Sequence, residues 1–196
     1  MMEEIVHIPL GLDCTVAYQL QQHNLRYQSL PFDWIKVNNV QSIIEILNDQ
    51  FFKFFDEKEW IVSHQSNNFD YFGIDIETIN HIKSKLKLKH KTYKIVLPHE
   101  SINDEINLSI VLKKYQKRSN RFNELLKSNI IKKIYIGCNG TPEKNKDAMK
   151  LCLDNYGCIN YQIIIIDYDR YPTTDLYSWH RNWIPWQKIF AELCDV

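Results

Sequence analysis

The chain has 196 residues, 44% of them hydrophobic and 13% aromatic, enough to bury one sizeable core and to exclude a disordered or low-complexity protein. Lys plus Arg and Asp plus Glu both number 24, so overall charge makes no case for nucleic acid, and any basic patch must be local. The acidic start Met1-Met2-Glu3-Glu4 does not read as a secretory leader, and the longest apolar run, Ile163-Ile164-Ile165-Ile166, is too short to span a bilayer. A soluble, cytoplasmic protein without membrane contact is expected.

Residues 4–10 read as a first strand or extended entry and residues 11–14 as a turn. Residues 15–24 read as a helix with Val16, Ala17 and Leu20 on one face, Asp13 as its N-cap and His23-Asn24 as its end. Residues 29–34 form a Pro-anchored loop. Asn38 or Asn39 caps a second helix over 40–48, with Val40, Ile43, Ile44 and Leu47 inward. Trp60-Ile61-Val62 and Phe69-Asp70-Tyr71-Phe72 read as two short strands around a polar turn, and the charged stretch 83–91 as a solvated helix end or loop.

Residues 92–99 form a strand that delivers His99 just past Pro98. Residues 104–128 give the longest helix, with Ile106, Ile110, Val111, Phe122, Leu125 and Leu126 inward and Lys113, Lys114, Lys117, Arg118 and Arg121 outward. A strand over 133–138 and a helix over 141–156 follow, the helix opened by Pro142 and stopped by Gly157. Residues 161–168 are apolar enough for the middle of a sheet buried on both faces. The aromatic tail 179–193 ends in a short amphipathic helix. With no repeat and no linker, the chain reads as a single domain over 1–196, α/β or α+β, with one central sheet flanked by helices. Its Ile-, Lys- and Asn-rich composition hints at an AT-rich genome, bacterial or of a large virus.

Five cysteines, an odd number with no CxxC pair, argue against a disulfide framework or a zinc module. Cys138, Cys152, Cys158 and Cys194 read as small buried hydrophobes. Cys14 differs, because it stands at a helix start. The free N–H groups and partial positive charge there favour loss of the thiol proton, and the thiolate is the reactive form. The adjacent Asp13 opposes this if its carboxylate turns toward the sulfur.

His99 stands out as a base because it follows a clean strand, whereas His64, His81 and His90 lie in polar stretches that read as surface. The basic helix face reads as solvated. Arg118 and Arg121, three apart, can pair with carboxylates or hold an anion. Asp167 and Asp169 end the apolar strand, but no third metal ligand accompanies them. No metal and no cofactor is expected.

Leu10-Gly11-Leu12-Asp13-Cys14, Ala17-Tyr18-Gln19-Leu20, Leu25-Arg26 and Ser29-Leu30-Pro31-Phe32-Asp33-Trp34 together resemble the opening block of the putative papain-like cysteine peptidases. Residues 115–122 resemble that family's Arg-bearing helix, and Leu97-Pro98-His99-Glu100 its histidine block, which often reads His-Asp; here Glu100 replaces the Asp. The resemblance covers about residues 5–137 and implies a papain-like domain. It implies Cys14 as nucleophile, His99 as base and a third polar residue to orient the imidazole. Asp33 is the first choice for that third residue. Asn139 fits the papain chain order, and Asp104 is a further option or a helix cap. The implied activity is that of a peptidase, thiol hydrolase or acyltransferase acting on a peptide, isopeptide, amide or thioester. The rival expectation is a non-catalytic carbohydrate- or anion-binding protein that uses the Arg118/Arg121 helix and the aromatic tail.

Overall fold

Three parallel strands carry the backbone of the fold. The computed structural model describes residues 4–63, 86–101, 105–171 and 180–191. β1 (Ile5–Pro9), β5 (Ile131–Cys138) and β6 (Tyr161–Asp167) pair in the order β1-β5-β6, all parallel. β5 is the middle strand, and every residue from Lys132 to Cys138 is buried. This corrects the expectation for residues 161–168, since β6 lies at the side of the three-stranded sheet and only Ile166 of it is fully buried. Lysines in the most buried strand have a physical account at Lys132. Its stem crosses the core while its ammonium donates to the carbonyls of Ser128 and Ile159, both at 2.6 Å.

A second sheet replaces the expected single central one. β2 (Trp60–Ser63), β3 (Lys87–His90) and β4 (Val96–Leu97) pair antiparallel in the order β2-β3-β4. The stretch expected to be a solvated end is thus partly a strand, with Lys87, Leu88 and His90 buried. The expected strand over 92–99 shrinks to β4, because a turn through Lys94 (φ 56°) comes first. His90 is not a surface histidine: its Nε2 lies 3.0 Å from the Lys53 carbonyl, and its Nδ1 accepts the Tyr93 N–H at 3.2 Å. His64, His81 and the strand expected at 69–72 lie outside the described residues.

The helices are α1 (Thr15–Gln22), α2 (Val40–Asn48), α3 (Leu108–Lys127), α4 (Pro142–Tyr156) and α5 (Trp186–Ala191). Asn39 caps α2 by accepting the Ser42 N–H. Gly157, in the left-handed region at φ 83°, ends α4, which crosses from β5 to β6 and packs on α2. α3 starts at the Asn107 cap, and Asp104 lies outside the described residues. Its buried stripe is Val111, Leu112, Tyr115, Ser119, Phe122 and Leu126, so Ile110 falls off the stripe and is 64% exposed. Lys113/Lys117, Lys114/Arg118 and Lys117/Arg121 are like-charged i,i+4 pairs on α3, each costing about 0.2–0.5 kcal/mol of helix stability.

Apolar packing divides into two clusters. The larger runs from Ile8 through α2, the second sheet and α3 to Cys158. The smaller joins Val16 and Leu20 of α1, Tyr135, Ile166 and Tyr168 with Ile184, Trp186 and Phe190. Where it is described the aromatic tail packs into the fold, with Trp186 and Phe190 buried in the same cluster as Val16 and Leu20 of α1. Trp179 and Cys194 lie outside the described residues, whereas Cys138, Cys152 and Cys158 are buried and unbridged, as expected. Among the described residues no helix is long and apolar enough to cross a membrane.

Candidate active site

Beyond Pro9 the chain stays on the sheet for three more residues. Leu10 N–H donates to the Tyr135 carbonyl at 2.8 Å, and Leu12 N–H to that of Gly137 at 3.2 Å. This lays residues 11–14 along the carboxyl end of β5, where open α/β sheets place their ligands. Gly137 is required there, because a Cβ on it would overlap the Tyr168 hydroxyl and ring.

Cys14 occupies the N-cap position of α1 and is half-buried. Its side chain caps nothing; the Asp13 carboxylate instead accepts the Thr15 N–H at 3.0 Å. Burial pushes the Cys14 thiol up to about 12, and the Asp13 carboxylate adds to the rise. The backbone N–H of Cys14 itself and the charge of Lys36 act in the opposite direction and are weaker. Burial and the Asp13 carboxylate thus act against the readily lost proton expected of a helix start. Arg181 lies 3.9 Å from the Asp13 carboxylate and places its guanidinium 3.9 Å from the Tyr168 ring centre.

His99 follows β4 and is exposed, with its ring edge-to-face against Trp34 at 6.1 Å between centres. One short segment connects its surroundings with those of Cys14. Val37 N–H donates to the Leu12 carbonyl at 2.8 Å, while Lys36 and Val96 exchange backbone hydrogen bonds at 2.9 and 2.8 Å. Residues 34–37 therefore border the Cys14 loop on one side and the His99 strand on the other.

Asp33, just before that segment, is fully buried. Its Oδ2 accepts from Arg26 Nη2 at 2.5 Å, from Arg26 Nε at 2.9 Å and from Leu30 N–H at 2.9 Å. Burial raises its pKa, and the Arg26 guanidinium pulls it down. Its Oδ1 has no hydrogen-bond partner among the described residues. Arg26 also lies over the Trp34 ring at 5.4 Å. The Leu25-Arg26 motif assigns Arg26 no role, and only the folded loop shows that it reaches an acid seven residues on. Glu100, in the place of the Asp that often follows the histidine, has its own partners. It is buried, paired with Lys114, and accepts from the Tyr115 hydroxyl at 3.3 Å.

Asn139 is exposed directly after β5, at the same sheet end as the Cys14 loop. The nearby acids tie loops together: Asp169 accepts the Gly140 N–H at 2.6 Å, and Asp167 accepts the Asp169 N–H at 3.1 Å and pairs with Arg170 at 3.3 Å. Among the described residues no group of three or more His, Cys, Asp or Glu is placed to hold a metal ion.

The Cys14 loop, the Asp33 loop and the His99 turn all fall within residues 5–169, which match a family described as putative papain-like cysteine peptidase (DUF1796). The chain belongs to that family. This papain-like family member is similar to Uncharacterized protein R408 of Acanthamoeba polyphaga mimivirus, at 32% identity over 132 residues. The match covers 65% of the chain and spans 59% of that protein's length. No solved structure matches it.

Proposed function

We propose that the protein is a thiol hydrolase or acyltransferase of peptidase type, with Cys14 as nucleophile and His99 as base. The observation that carries this reading is the 34–37 segment, hydrogen-bonded both to the Cys14 loop and to the strand that precedes His99. In the reaction, Cys14 Sγ attacks the substrate carbonyl carbon as its proton passes to a His99 ring nitrogen. Transfer and attack are concerted, because a free thiolate is disfavoured at this half-buried sulfur. The oxyanion takes first-turn N–H groups of α1 other than that of Thr15, which the Asp13 carboxylate already holds. Collapse expels the amine or thiol, which takes the proton back from His99. Water, deprotonated by His99, then cleaves the acyl-thioester and restores the thiol; a second nucleophile in its place gives acyl transfer.

Asp33 is a positioning residue in this scheme. Its ion pair with Arg26 fixes the 29–34 loop, and the neighbouring Trp34 packs against the His99 ring. Peptides are the first substrate class to try, as the family description suggests. The test is labelling by a peptide vinyl sulfone in the intact protein, Cys14→Ala and His99→Ala. Label is expected to vanish in Cys14→Ala and to slow about 100-fold or more in His99→Ala. A His99→Ala variant that labels at the parent rate refutes the pair.

A further inference from the structure

Lys113, Lys114, Lys117, Arg118 and Arg121 of α3 line, with Ser29 and Ile110, a cavity of about 450 Å³. Among the described residues Lys114 alone of these cations has an ion-pair partner, Glu100. Arg121 donates from Nη2 to the Ser29 carbonyl at 2.6 Å, yet its Nε is shielded from solvent with no acceptor among the described residues. Arg118 Nη1 is in the same condition, although its guanidinium is held 5.0 Å from the Tyr115 ring centre. The charge of Asp33 reaches Arg118, but Asp33 commits Oδ2 to Arg26 and Leu30. Two arginines with unused buried donors and a rim of lysines thus meet in one concavity. That donor set lacks acceptor oxygens carrying negative charge.

We propose that this cavity binds the phosphate or pyrophosphate group of a small molecule, with Arg118 and Arg121 taking its oxygens and Lys113 and Lys117 neutralising it from the rim. Guanidinium forks match phosphate oxygens two at a time, whereas exposed lysines act as point charges that attract the ligand. The volume suits a small molecule. A nucleic-acid interface would need a basic stripe extending beyond one helix face. The assignment does not depend on chemistry at Cys14.

The test titrates the full chain with inorganic pyrophosphate and, separately, with a sugar phosphate, by calorimetry at about 0.15 M ionic strength. Saturable one-to-one binding of either supports the proposal, and the tighter of the two tells a free pyrophosphate site from a phosphate-ester site. Lys113→Gln with Lys117→Gln changes exposed side chains only and is expected to weaken binding about tenfold. Arg118→Lys, which keeps the charge and loses the fork, is expected to weaken it comparably. Absence of saturable binding, affinity unchanged in both variants, or tighter binding of a single-stranded oligonucleotide than of either small phosphate overturns it.

Discussion

Replacing Asp13 by Asn removes the one negative charge that raises the Cys14 pKa while keeping an oxygen for the Thr15 N–H. Two unit charges about 6 Å apart set the scale of the interaction. At an effective dielectric of about 20–40 the Asp13 carboxylate then opposes a Cys14 thiolate by about 1.4–2.8 kcal/mol, or about 1–2 pK units. Arg181, 3.9 Å from the carboxylate, offsets part of this, and burial, the larger cause, is untouched. The Cys14 pKa is therefore expected to fall from about 12 by about one unit. At a fixed pH well below either value the thiolate fraction rises about tenfold, and alkylation by iodoacetamide rises with it. Peptide-resolved mass spectrometry over a time course measures that rate, with buried Cys138 as the control for general opening. A change under about twofold at Cys14, or an equal rise at Cys138, refutes the electrostatic account.

Arg26→Met leaves Asp33 buried without its counter-charge and is expected to cost about 3–5 kcal/mol in urea unfolding, part of it recovered by adding Asp33→Asn; a loss under about 1 kcal/mol contradicts the ion pair's role. Gly137→Ala drives a Cβ into Tyr168 and is expected to lower stability by about 1–3 kcal/mol, with partial rescue by Tyr168→Leu in the same background; thermal melts of the two variants decide it. Burial, helped by Lys133, lowers the His7 pKa to about 4, so the unfolded chain takes up this proton first as pH falls. The stability associated with neutral His7 is complete above about pH 6.5 and is lost as pH drops toward 4, by at most about 3 kcal/mol. Urea midpoints across that window are expected to fall less steeply in His7→Gln, which keeps a polar partner for the Tyr135 hydroxyl.

Elements marked by local chemistry were legible from sequence. Asn39 caps α2, and Pro142 and Gly157 bound α4, because each acts on its own few residues whatever surrounds them. The layering of the sheets was not. Four consecutive isoleucines outweighed Lys132 and Lys133, yet the lysine-bearing strand is central, since an ammonium that reaches two carbonyls removes the usual objection to burying it. Lys87–His90 reads as solvated for a similar reason, since two of its three buried residues are a lysine and a histidine. At the candidate site, the position of Cys14 on a helix start was visible in the Gly11–Cys14 turn. The direction of its pKa was not, because burial depends on residues distant in the chain. The Arg26–Asp33 pair follows no helix or strand period, so only the folded loop reveals it.

The pairing of β1 carries a consequence for synthesis. Its described partner is β5, with Ile5 opposite Ile131, so β1 stays without this partner until β5 has been translated. At about 5–20 residues per second that interval is on the order of ten seconds. Throughout it the segment Ile5–Pro9 is a nascent, unpaired edge, and the loop that bears Cys14 has no strand end to lie on. The loop that carries the proposed nucleophile therefore gains its seat on the sheet only once β5 has been made.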